Sequence, residues 1–344
     1  MYIYEKPILH MKTPIFSTLI IVFLLNLTLG NSQNDLKGIS LTQPPFLKAG
    51  DTVAIVAPSG VLNNREREVN QAKDLLRRWK LNVVVGTHVF SKDNHFAGTD
   101  DQRASDLQKV MDDPTISAIW CARGGYGTVR VLDKLDFTKL KAKPKWLIGY
   151  SDITALHNQL HNEGLQSIHA LMCTSLTEDE TKVANAVDTF KKAIFGDTIS
   201  YTIESSSYNR IGETNGQIVG GNLTLLHTML GSKTSIDTSG KILFIEEIGE
   251  YKYHIDRMLQ SLKRAGYFEN LAGVIVGDFS NMRINTTPWG KSIEQLILDV
   301  FEGYDYPILF DFPAGHEKDN RALILGSNIT LLVNSTQSTV TFKN

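Results

Sequence analysis

From Asp51 onward the chain alternates short, continuously apolar runs with stretches of helical spacing, and this alternation restricts the fold more than any other feature. "TVAIVAPSG" (52–60) reads as a buried strand ending in a Pro-Ser-Gly turn. A charged helix, about Asn64 to Trp79, leads to "NVVVG" (82–86), and another, about Gln102 to Asp112, leads to "ISAIWCARGGYG" (116–127). A short helix to Leu135, the strand "WLIG" and a helix to about Glu163 follow. The pattern predicts a parallel sheet with crossover helices, an α/β unit of flavodoxin-like or Rossmann-like type.

A chain of 344 residues exceeds one ordinary core, so two domains are expected. The polar, Ser- and Thr-rich stretch at 196–215 is the expected linker between an N-terminal domain (33–195) and a C-terminal domain (216–344). The second domain is expected to be smaller, mixed and β-rich. Its apolar runs are "GQIVGG", "KILFIEEIGE" and "LAGVIVGDFS", and its tail "ALILGSNITLLVNSTQSTVTF" reads as short β segments.

Residues 1–32 stand apart. Lys12, an apolar stretch from Ile15 to Leu29 and the small or polar residues Gly30, Asn31 and Ser32 have the layout of a secretory signal peptide, cut near Gln33. Periplasmic or secreted action is therefore expected, the alternative being an uncleaved leader that anchors the protein to the inner membrane. A net charge of −2 gives no reason to expect nucleic acid or a membrane surface as partner. Two cysteines, Cys121 and Cys173, are too few for a disulfide scaffold, and the sequence leaves open whether they pair.

In open α/β sheets ligands collect at the carboxyl ends of strands, here "APSG", "ARGGYG" and "GYSD". Glycines 124, 125 and 127 permit a backbone that turns its N–H groups toward an anion or oxyanion, although neither G-x-G-x-x-G nor a P-loop is present. Ser151 lies at a strand-to-helix corner, as an N-cap or as a nucleophile held on a turn. A nucleophile needs a base and an orienting acid. His316, in the Pro- and Gly-flanked loop "DFPAGHEKDN", and His169 are the base candidates. Glu246 and Glu247 end a buried apolar run and are the acid candidates, unless they pair with Lys252 or Arg257.

The stretches "VAIVAPSG", "ARGGYGTVRVLDKLDF", "IGYSDITALH", "GGNLTLL", "ILFIEEIGEYKYHIDRML", "GVIVGDF" and "PAGHEKDN…LILG", in this order, resemble the LD-carboxypeptidases, serine peptidases that include the microcin C immunity proteins. The resemblance implies a flavodoxin-like N-terminal domain joined to a smaller β-rich domain. It also implies a triad of Ser151, Glu246 and His316, with Glu247 where Asp is usual. Oxyanion donors are then expected at the backbone of Asp152 and of the Arg123–Gly127 loop, Gly125 being chosen, and Arg123 is the candidate for the substrate's terminal carboxylate. The implied substrate is a cell-wall tetrapeptide cut between a diamino acid and D-alanine. No cofactor or metal is implied, and a homodimer is expected by analogy. Hydrolysis of a microcin-type peptide conjugate, or peptide binding without cleavage, are the alternatives.

Overall fold

The computed structural model describes residue 2 and residues 41–176 and 179–343, so the leader reading of 1–32 lies outside the described residues apart from Tyr2. In chain order the strands and α-helices of the N-terminal half are β1 (Thr52–Val56), α1 (Glu66–Arg78), β2 (Asn82–Val85), α2 (Asp100–Asp112), β3 (Ile116–Cys121), α3 (Thr138–Ala142), β4 (Trp146–Gly149), α4 (Thr154–Asn162), β5 (Ser167–His169) and α5 (Ala184–Phe195). Then come β6 (Ser200–Glu204), β7 (Gly212–Asn222), α6 (Leu223–Thr228), β8 (Ile242–Ile248), α7 (Lys252–Arg264), β9 (Gly273–Ser280), α8 (Ile293–Val300), β10 (Ile308–Leu309), β11 (Leu323–Leu325), β12 (Asn328–Val333) and β13 (Gln337–Phe342).

The first sheet has the order β11-β5-β4-β3-β1-β2. Its five N-terminal strands are parallel and run 2-1-3-4-5, the flavodoxin-like order, with the topological switch between β1 and β3. Helices cover both faces, which is why Val53 to Val56 are buried without alternation. The expected fold class is thus observed.

The second sheet runs β10-β9-β8-β7-β12-β13-β6, with β7 to β10 parallel and β12, β13 and β6 antiparallel. One apolar cluster includes Trp146 and Ile148 of the first sheet and Ile218, Phe244 and Ile275 of the second, so the two sheets share a core.

Two boundaries differ from the sequence reading. The stretch 196–215 is not a free linker, because it contains β6 and the start of β7. In β6, Tyr201 and Ile203 are buried while Ser200, Thr202 and Glu204 are exposed, a period-2 alternation hidden by the polar composition. Nor does 216–344 keep to one sheet: β11 leaves it and pairs antiparallel with β5, with Leu323 opposite His169.

Candidate active site

Strand β4 ends at Gly149, and the chain turns through Tyr150 into a short 3₁₀ turn, Ser151–Ile153, before α4. Ser151 has φ +62°, a left-handed conformation that a residue with a Cβ adopts at a cost of about 1 kcal/mol or more. Neither the 3₁₀ turn nor α4 has a side-chain cap, so the N-cap reading of Ser151 does not hold. The corner is pinned from below by buried His157, whose Nε2 donates to Gly149 O at 2.9 Å while Nδ1 accepts from Ser167 Oγ at 2.8 Å. Burial pulls this imidazole down to about 4, so it is neutral and structural.

Ser151 Oγ lies 3.0 Å from His316 Nε2, and His316 Nδ1 lies 2.6 Å from Glu246 Oε2. Glu246, near the carboxyl end of β8, is fully buried, and the His316 side chain is 12% exposed. With Nδ1–H donating to the carboxylate, Nε2 is left to accept the Ser151 proton, which is the connectivity of an activated nucleophile. Burial pulls the His316 pKa down, but the charge and hydrogen bond of Glu246, helped by Glu247 and Asp278, outweigh it and hold the imidazole above its ordinary value.

Glu247 faces elsewhere. Its oxygens accept from Asn222 Nδ2, Thr224 N, Thr224 Oγ1 and Ile248 N at 2.7–3.0 Å. Burial and the neighbouring Glu246 charge nevertheless raise its pKa. Its work is to tie β8 to the start of α6. Lys252, considered as an ion-pair partner for these acids, donates instead to Lys291 O at 2.7 Å.

The His316 loop is fixed on both sides. Gly315 N donates to Asn320 Oδ1 at 3.1 Å, Glu317 N donates to Asp278 Oδ2 at 3.0 Å, and the Tyr150 ring meets the imidazole edge-on at 5.1 Å. Asp278 is pushed up to about 6, by burial first and then by the charges of Glu317 and Glu246, against the Glu317 hydrogen bond. His169, the other base candidate, is buried against Phe244 and hydrogen-bonded to Asn320 Oδ1 at 3.2 Å, away from Ser151 Oγ. Cys121 and Cys173 are buried free thiols.

The glycine loop after β3 reaches the nucleophile at Gly124, the neighbour of the residue chosen from sequence. A Cβ at Gly124 would stand 3.0 Å from Ser151 Cβ and 3.2 Å from Oγ, whereas one at Gly125 would face Gly60. Gly125 has φ +105°, a backbone conformation that favours glycine. Asp152 serves the loop through its buried carboxylate, which accepts from Thr128 N at 2.8 Å. Arg123 donates to Val61 O and so braces the β1 loop. Buried Arg103, which the sequence did not single out, donates to Pro58 O at 2.5 Å and Gly127 O at 2.9 Å, clamping both loops at the switch point.

Comparison with known proteins shows the family of the chain. Residues 53–170 match the LD-carboxypeptidase N-terminal domain, and residues 215–331 match the LD-carboxypeptidase C-terminal domain. The chain is 35% identical over 294 residues to the probable murein peptide carboxypeptidase of Bacillus subtilis, covering 84% of this chain and 91% of that protein. It is 29% identical to the murein tetrapeptide carboxypeptidase of Pseudomonas aeruginosa, over 81% of this chain and 92% of that one. Among solved structures, muramoyltetrapeptide carboxypeptidase from Oxalobacter formigenes superposes with a TM-score of 0.77 at 27% identity, covering 85% of this chain and 99% of that one. The microcin C7 self-immunity protein MccF shares the fold, with a TM-score of 0.78 at 22% identity over 88% and 99% of the two chains. Two domain matches in family order, and relatives that align along most of their length, make this chain a serine carboxypeptidase of the LD-carboxypeptidase family.

Proposed function

We propose that the protein hydrolyses the bond between the L-centre of a diamino acid and a terminal D-alanine in cell-wall tetrapeptides, with Ser151, His316 and Glu246 as its catalytic triad. The observation that carries the reading is the continuous hydrogen-bond chain from Ser151 Oγ through His316 to Glu246, presented where the carboxyl edges of two sheets meet. His316 Nε2 takes the Ser151 proton as Oγ attacks the peptide carbonyl, and Glu246 holds the Nδ1–H tautomer and stabilises the imidazolium. His316 then gives that proton to the leaving D-alanine nitrogen. Water, deprotonated by the same imidazole, attacks the acyl-enzyme and releases the shortened peptide.

The oxyanion is assigned to backbone N–H groups of Asp152 and of the Gly124–Gly125 segment, each donor contributing about 3–4 kcal/mol in the transition state. The Arg123 side chain already braces Val61 O, so its part in holding the leaving carboxylate rests on the donor capacity left to its guanidinium. Export fits this reading, since the apolar stretch Ile15 to Leu29 is leader-like and a wall substrate lies outside the cytoplasm. N-terminal sequencing of the protein recovered from its host tests the cut near Gln33.

The deciding experiment is D-alanine release from a purified disaccharide tetrapeptide by protein beginning at Gln33, beside its Ser151→Ala variant, read by mass. Release by the first and not the second is expected. A folded protein that releases nothing moves the reading to another peptide conjugate or to binding alone.

A further inference from the structure

A second feature sits on the same edge of the second sheet. The loops that follow β8 and β9 form an open groove of about 710 Å³, lined by Tyr251, Tyr253, Asn285, Thr286, Thr287 and Trp289. Tyr253 is 42% exposed and Trp289 37%, in a protein whose other tryptophans in the core, Trp120 and Trp146, are fully buried. The Tyr251 and Tyr253 rings stack at 5.5 Å with 27° between their planes. Guanidinium groups lie over both, Arg283 at 5.5 Å from the Tyr251 ring and Arg257 at 5.6 Å from that of Tyr253. The two loops are tied by Arg283 N to Glu250 O at 2.9 Å and by Lys252 N to Asn285 Oδ1 at 3.3 Å, so the groove is preformed.

The exposed parts of the Tyr253 and Trp289 side chains, beside an amide and two hydroxyls, suit a ligand with apolar C–H faces and a rim of hydroxyl and acetamido groups. The groove is also within reach of the chemistry. Tyr251 is five residues beyond Glu246, so its Cα lies no more than roughly 17 Å from that of Glu246. A three-residue peptide on the acyl side of the scissile bond, plus its linkage to an amino sugar, spans roughly 10–15 Å. We infer that this groove is a saccharide subsite that takes the N-acetylated amino-sugar end of the substrate while the peptide crosses to Ser151. The inference rests on the muropeptide reading given above.

The test compares kcat/KM for the free tetrapeptide and the disaccharide tetrapeptide in wild type, Tyr253→Ala and Trp289→Ala. Both side chains are exposed, and truncating them leaves the core intact. Wild type is expected to prefer the sugar-bearing substrate at least 10-fold, and each variant to fall within about two-fold of parity while its rate on the free tetrapeptide is unchanged. Equal use of both substrates by wild type, or a preference that survives in the variants, overturns the subsite and leaves the proposed reaction standing. If neither substrate yields D-alanine, the reaction itself is refuted. Binding of the peptide-free disaccharide, read by titration calorimetry and lost in Tyr253→Ala and Trp289→Ala, then upholds the groove, and no binding overturns it as well.

Discussion

Thr154 Oγ1 accepts the backbone N–H of Asn222 at 3.0 Å, and this one bond joins the helix that follows the nucleophile to the strand that sets the register of the acid. Asn222 stands opposite Glu246 in the β7–β8 pairing, so Ser151 and Glu246 are separated by a three-residue turn, one hydrogen bond and one register position. The strand approaches closely because residue 221 is glycine: a Cβ there would stand 2.5 Å from Thr154 Oγ1, and φ is +140°.

Thr154→Val keeps the shape and removes the acceptor, stranding a buried N–H. The expected loss is about 1–3 kcal/mol of stability, read from the denaturant midpoint. Turnover should fall with KM little changed, since the fault lies in the alignment of the acid and not in binding.

The left-handed backbone at Ser151 favours glycine. Ser151→Gly and Ser151→Ala should both lose at least ~10⁴-fold in turnover. They should differ in stability: the glycine variant, free of Cβ strain, is expected to unfold about 1 kcal/mol later than the alanine variant. Equal midpoints would show that the corner stores no strain.

The raised His316 pKa places the acid limb of kcat/KM above the ordinary histidine value of about 6.5, with activity rising as the imidazole loses its proton. In Glu246→Gln the dominant raising influence is gone and burial prevails, so the limb should move to lower pH while the rate falls about 10³- to 10⁴-fold. The sign for stability follows from the same shift. A folded pKa above the unfolded one means the ion pair's contribution is full below about pH 6.5 and is lost as pH climbs through the folded value. Chemical denaturation of wild type and variant across pH checks both.

Asp278 carries the same sign in a more acid window. Its native pKa of about 6 lies above the unfolded value, so wild type loses stability as pH rises through this window. Asp278→Asn, whose Oδ1 can still accept Glu317 N–H, should match wild type below about pH 4 and be the more stable protein above pH 6. It should also shift the His316 limb downward, because one of the charges that raise that imidazole is removed.

The parallel half of the fold was legible because its strands are buried on both faces and read as unbroken apolar runs. Strand β6 was not, because three of its five residues are Ser, Thr and Glu facing solvent. Ser151 and His316 stood out as residues presented by turns. The choice between Glu246 and Glu247 could not come from the run itself, since adjacent residues of a strand face opposite ways and either face might meet the histidine. Asp278 ends its own buried run, "VIVGD", just as Glu246 does, so the sequence marks both acids in the same way. Arg103 carries no such mark: its clamp exists only because β1 and β3 diverge at the switch point.

Strand β11 gives the molecule a property that neither half has alone. Three residues from the C-terminal segment complete the edge of the first sheet, and Ala322 just before them is fastened by Tyr201 Oη at 2.5 Å and Thr189 Oγ1 at 3.1 Å. The seam between the two domain matches is therefore stitched and does not work as a hinge. A fragment ending near residue 170 would bare the β5 edge, an invitation to aggregate. Traffic of substrate and product falls to the surface loops, so replacing the segment 285–289 should alter which sugar-bearing substrates are admitted while the shared interior stays as it is.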